Sequence, residues 1–232
     1  MPNYVTNIIR MEGKKEDFER VLEFIASDDA EVDFNRIIPM PKSLNVTAGS
    51  LQDQSIAVYN YVVKEDDSKL QSMMSYPWVV KEGIKTVKEL SDYFIAKEKD
   101  IVKIGEQYVT NIELYGCPTW YEWCNRYWGT KWNAGEPWTC EDSFGFETAW
   151  SSVPELLLKL SEFFPEVTFN YSYADEDFGS NLGRMVIKDG EIEDEYYPPS
   201  CSDEAYDFAA EILGYDARED WDEDEEDEED EE

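Results

Sequence analysis

The chain has 232 residues, 42% of them apolar and 15% aromatic, enough to bury a sizeable core in one domain with an insertion or in two small ones. It carries 54 acids against 20 bases and no histidine, a net charge of −34. Such a field repels nucleic acid and anionic membrane surfaces alike, and the missing imidazole excludes Ser-His-Asp and Cys-His catalysis.

The opening MPNYVTNIIRMEGKKEDF lacks the basic-then-apolar order of a signal peptide, and no window approaches the ~18 apolar residues of a membrane span. A cytoplasmic location with four reduced cysteines is the expectation. Residues 4–11 (YVTNIIRM) read as a first strand, and Phe18, Val21, Leu22 and Ile25 recur at helical spacing behind it. EVDFNRII (31–38), closed by Pro39 and Pro41, reads as a second strand, completing one β-α-β unit.

Residues 46–110 form a mostly helical insertion, with helices expected near 51–63, 67–75 and 86–97, the last opened by Thr86 and Glu89 as a capping box. Thr119 and Glu122 repeat that pattern ahead of Trp120, Trp123, Cys124, Tyr127 and Trp128, which share one helical face up to Gly129. A second β-α-β unit follows: Phe144, Phe146, Thr148 and Trp150 alternate as a strand. Ser152 and Glu155 suggest a capped helix through Phe164, and Val167 to Tyr173 alternate again. RMVIK and EIEDEY flank Asp189-Gly190, a two-residue hairpin turn. Ala205, Phe208, Ala209, Ile212 and Leu213 then make a short amphipathic helix between Ser202 and Gly214.

Two β-α-β halves define an α+β fold: a ferredoxin-like split β-α-β sandwich, its antiparallel sheet covered by helices on one face, with a helical insertion and an extra β-hairpin. Its expected parts are a domain of residues 1–45 and 111–215, the insertion 46–110, and a disordered acidic tail 216–232. From Asp216 onward there are 14 acids and one base, which leaves 40 against 19, or −21, on residues 1–215.

No machinery for catalysis is legible, so the protein is read as a non-enzyme with no catalytic residues and no cofactor. The cysteines at 117, 124 and 140 are spaced C-x6-C and C-x15-C, with no histidine and no C-x2-C pair, which argues against a metal. There is no phosphate-binding glycine loop, and Asp175, Asp177 and Gly179 fail as a calcium loop because Ser180 and Val186 occupy the positions that need Gly and Glu.

What remains is recognition. Asp175, Glu176 and Asp177, with Glu191, Glu193, Asp194 and Glu195 on the outer hairpin, make an acidic surface against which a basic protein could dock; the same charges also keep a sheet edge from aggregating. A second reading makes the Trp-rich segment a pocket for a nucleotide-type ligand, lined by Trp120, Trp123, Arg126, Trp128, Lys131 and Trp132, with Arg126, Lys131 and Arg184 as local cations. An apolar face at helical spacing is more often core than pocket.

The string TWYEWCNRYWGTKWNA (119–134), together with NRIIPMP (35–41), resembles the YubB-type ferredoxin-like family over about residues 1–45 and 111–200. The resemblance implies the same sheet and an origin on plasmids, phages or other mobile elements of bacteria, hence the cytoplasm of a bacterial host cell. It carries no catalytic residue to this chain. Joined to the charge, it suggests a nucleic-acid mimic whose partner is a basic host protein, a nucleic-acid-binding or defence factor, with no direct nucleic-acid or membrane contact.

Overall fold

The computed structural model describes residues 2–215, 217 and 218. The acidic tail expected at 216–232 therefore lies, apart from Ala217 and Arg218, outside the described residues. The chain divides into two compact units, Met1–Pro39 with Cys124–Glu232, and Met40–Trp123.

In the first unit, β1 (Tyr4–Glu12), α1 (Lys15–Ile25) and the short α2 (Phe34–Ile37) come before the chain enters the second unit. The expected strand at 31–38 is this helical turn. Asp33 accepts a hydrogen bond from the Asn35 amide at 2.9 Å and caps it, and Phe34 and Ile37 are then buried three residues apart. A side chain that bonds to the backbone two residues on favours a turn over a ladder. The second strand of the split unit is instead β2 (Gly135–Thr139), followed by β3 (Ser143–Ala149), α9 (Pro154–Phe163) and β4 (Thr168–Asp175).

Among the described residues six strands form one sheet, ordered β2-β3-β1-β4-β5-β6, with every neighbour antiparallel. The first four are the ferredoxin-like order: β3 lies between β1 and β2, and β1 lies between β3 and β4. The hairpin of β5 (Gly183–Lys188) and β6 (Glu191–Tyr196) extends the β4 edge through a turn with Asp189 at φ 48° and Gly190 at φ 78°, the left-handed pair that a two-residue hairpin requires.

One face of the sheet carries Val5, Ile9, Met11, Phe144, Phe146, Phe169, Tyr171, Met185 and Ile187, all buried. Helices α1 and α9 meet through Phe24, which packs against Phe163 and Phe164 at 5.2 and 5.4 Å. The expected Ser152–Glu155 box does not cap α9. Pro154 takes the first helical position and Val153 the cap position, its amide donating to the Tyr171 hydroxyl at 3.0 Å. That hydroxyl donates to Asn7 Oδ1 at 2.6 Å, and Asn7 Nδ2 donates to Thr148 Oγ1 at 2.9 Å, so the polar groups buried inside this core are matched to one another.

The opposite face is not bare. Helix α10 (Asp203–Leu213) packs Ala205 and Ala209 against Ala174 of β4, held by Ser202 at its start and left-handed Gly214 at its end.

The second unit holds α3 (Ser50–Val63), α4 (Ser68–Met73), α5 (Pro77–Lys81), α6 (Val87–Lys97) and α7 (Ile101–Tyr115); α8 (Trp120–Tyr127) spans the boundary at 123. Helices α5 and α7 were not anticipated. Leu70, Val79, Leu90, Phe94 and Ile101 form its core. Helix α7 approaches α3 at Gly105, where a Cβ would come within 2.2 Å of the Ser55 carbonyl oxygen.

Candidate functional site: the acidic edge and the tryptophan segment

Strand β6 is one of the sheet's two edge strands, and all six of its residues are exposed. Its ladder runs Val186–Asp194 and then Ile187–Ile192, so Glu193 stands opposite no residue and bulges from the edge. Glu191 and Asp194 fall on the α10 side of the sheet, paired with Lys188 and Val186, while Glu195 pairs with Met185 on the core side. The four acids therefore wrap the edge. None of them forms an ion pair among the described residues. Glu195 accepts a hydrogen bond from the Tyr197 hydroxyl at 3.0 Å; burial first, then this bond and the charge behind it, push the Tyr197 phenol up to about 12. Helix α10 adds exposed Asp203, Glu204, Asp207 and Glu211.

The β4–β5 loop changes the expected list. Glu176 and Asp177 are exposed, but Asp175 is 5% exposed and is not part of a docking surface. Its two oxygens accept from the Asp177 amide at 2.9 Å and Asn181 Nδ2 at 2.7 Å, closing the loop from inside. A carboxylate two residues ahead of a free amide folds back onto it as an Asx turn, and this explains the change of role.

The tryptophans separate. Trp123 and Trp128 are buried at 5% and 3% exposure, so neither lines an open pocket. Trp128 packs edge-on against Phe34 at 5.7 Å and donates its indole N–H to the Ile38 carbonyl at 2.9 Å. Trp120 is half-buried and belongs with Trp123 to the 40–123 unit, whereas Arg126, Trp128, Lys131 and Trp132 belong to the sheet unit. Arg126 is exposed and lines a shallow groove with Tyr127, Glu155 and Lys159. Cys124 is buried, and burial pushes its thiol up to about 12, away from nucleophilic or metal-binding chemistry.

Lys131 and Trp132 do come together, and with a residue assigned elsewhere. Trp150 was expected to continue the buried alternation of β3. It lies one residue past the strand with φ 65° and is 47% exposed, stacked on Trp132 at 6.2 Å with the rings 25° apart. The Lys131 ammonium lies 4.2 Å from the Trp132 ring and 5.5 Å from that of Trp150. The Trp-Ser-Ser sequence after Ala149 was the available signal that the strand ends there.

The strand order and the position of α9 define the class, an α+β ferredoxin-like domain with a six-stranded antiparallel sheet. A family model described as the ferredoxin-like domain in Api92-like protein matches residues 127–232, the segment from the end of α8 through α10 and onward. Among solved structures, the chain is similar to protein Api92 from Yersinia pseudotuberculosis, with 10% identity, covering 87% of this chain and all of that one, at a TM-score of 0.38. No curated protein matches.

Proposed function

We propose that this protein works by binding, not by catalysis, and that its acidic surface, centred on β6, holds a basic protein partner. The observation that carries the reading is the edge strand β6: six exposed residues in a row, four of them acids with no ion-pair partner among the described residues. A body charge of −21 supplies the long-range field that would steer a basic partner toward it. The YubB-type resemblance supports the finer version: a mobile-element protein in a bacterial cytoplasm that occupies the basic cleft of a nucleic-acid-binding or defence protein in place of a polynucleotide.

The test is capture from host lysate by the natural chain and by a Glu191→Lys, Glu193→Lys, Glu195→Lys variant. A basic protein retained by the first, released between about 50 and 200 mM salt, and lost by the second supports the reading. Partners indifferent to the reversal overturn it.

The paired indoles of Trp132 and Trp150 favour a second reading, in which a flat ligand ring stacks on this exposed surface. Stabilisation by a nucleotide that disappears in Trp132→Ala would favour it over the acidic edge.

A further inference from the structure

The face of the sheet that carries α10 holds a polar groove of about 390 Å3, lined by Ile8, Arg10, Asn170, Ser172, Arg184, Val186, Asp194, Glu211 and Ile212. The register shows how it is built. One row across the strands reads Ile8, Ser172, Arg184, Tyr196, and the next reads Arg10, Asn170, Val186, Asp194. Arg10 and Arg184 therefore stand on either side of β4, two strand spacings and one two-residue step apart, or ~12 Å between their α-carbons. That leaves both long side chains within reach of one ligand lying over Asn170 and Ser172.

Both arginines are exposed, and among the described residues neither Arg10 nor Arg184 forms an ion pair. The Arg184 guanidinium instead lies over the Tyr196 ring at 5.2 Å, which holds it on the groove side of the sheet. Among the described residues the amide of Asn170 and the hydroxyl of Ser172 make no side-chain hydrogen bond either, so the floor between the arginines presents donors and acceptors. Ile8, Val186 and Ile212 add apolar wall. Asp194 and Glu211 line the far side, so the groove's own four charges sum to zero.

We infer that this groove binds a small molecule of nucleotide size that bears an oxyanion, with Arg10 and Arg184 gripping the anionic group and Asn170 and Ser172 bonding to it from below. Planar guanidinium forks suit phosphate or carboxylate oxygens, and charge-assisted bonds of this kind are the strong ones. Asp194 and Glu211 restrict the ligand to one that turns hydrogen-bond donors or positive charge toward them, as the exocyclic amine of an adenine or cytosine ring does. The site stands apart from the acidic-edge reading, because charge reversal at Glu191, Glu193 and Glu195 leaves its lining residues in place.

The test is a titration of the full chain with AMP and separately with inorganic phosphate, at low salt, following the arginine Nε–Hε signals by NMR. Saturable shifts of both Arg10 and Arg184 with AMP are expected, and phosphate should move the same two signals at higher concentration. Arg10→Gln and Arg184→Gln should each weaken AMP binding about tenfold or more, the loss of one charge-assisted contact, while Lys159→Gln leaves it unchanged. Both arginines are exposed, so these variants should keep their thermal midpoints. Signals from Arg10 and Arg184 that stay still at ~10 mM of either probe, a weak millimolar limit, overturn the inference. AMP binding that survives the double variant, or that moves the indoles of Trp132 and Trp150 instead, overturns it as well.

Discussion

Asn181 donates its side-chain amide to the buried carboxylate of Asp175 at 2.7 Å, pinning the start and the far end of the β4–β5 loop to each other. Asn181 itself adopts φ 45° and gives a second bond to the Trp150 carbonyl at 3.2 Å. Replacing Asp175 by Ala removes the acceptor for two donors, at a cost of about 1–3 kcal/mol. For a chain of this size that is a fall of roughly 2–4 °C in Tm per kcal/mol. Glu176→Ala and Asp177→Ala, both exposed, should change Tm little. Differential scanning calorimetry on the three variants separates the loop's internal clasp from its solvated acids.

Asp33 gives a pH-dependent prediction. Burial raises its pKa, but donors from the Asn35 amide and side chain, from Asn133 Nδ2 and from Ser27 outweigh this and hold the carboxyl below its ordinary 3.8. A group whose folded pKa is depressed contributes stability above its unfolded value and loses it as pH falls through the folded one. Asp33→Ala should therefore cost about 1–2 kcal/mol at pH 7, as a lost helix cap does, and the gap to the natural chain should close progressively below about pH 4. Urea melts at pH 7, 5 and 3 measure it; a gap of constant size would contradict the assignment.

At Gly105 helix α7 packs tightly against α3. An added methyl would lie 2.2 Å from the Ser55 carbonyl oxygen and 2.6 Å from Tyr59 Cβ, and backbone cannot move aside as a flexible side chain does. Gly105→Ala should destabilise the 40–123 unit by about 1–3 kcal/mol despite alanine's better helix propensity. Gly83, with φ 73° and nothing near its added Cβ, supplies the comparison: Gly83→Ala pays only for its left-handed backbone. Hydrogen exchange across α3 and α7 reads the difference.

The four cysteines sort by burial. Cys140 and Cys201 are exposed, whereas Cys117 and Cys124 are buried. Native alkylation should stop at two equivalents, with the remaining two modified only on unfolding. Peptide mapping of the alkylated chain identifies which sulfurs reacted.

Local chemistry decided which parts of this fold were legible in the sequence. Helix α10 and the β5–β6 hairpin followed from signals that belong to one segment: Ser202 and Gly214 at the helix ends, Asp189-Gly190 at the turn. Strand β2 was not legible. GEPWT combines a glycine and a proline with an exposed Trp138, and it forms a strand because β3 offers it an open edge. The 31–38 segment failed in the opposite direction, since Val32 and Phe34 imitate a strand's alternation while Asp33 bends the chain into a turn. The acidic surface was legible as composition, yet Asp175 and Asp177 look alike in sequence and differ only in what the loop folds around. Arg10 gave no signal at all; its neighbourhood exists only once β1, β4 and β5 are side by side.

The place of β1 in the sheet has a consequence for how the chain is made. It comes before the other five strands of the sheet in the chain and ends up in the middle of that sheet, hydrogen-bonded on one side to Ser143–Ala149 and on the other to Val5's and Glu12's partners between Thr168 and Asp175. Through the synthesis of the whole helical unit it has neither neighbour. At ~5–20 residues per second that is a wait of several seconds with an apolar strand unpaired. The Met40–Trp123 unit has a core of its own and is free to fold during that interval, so vectorial synthesis favours an order in which the inserted part is finished before the part that flanks it in the chain.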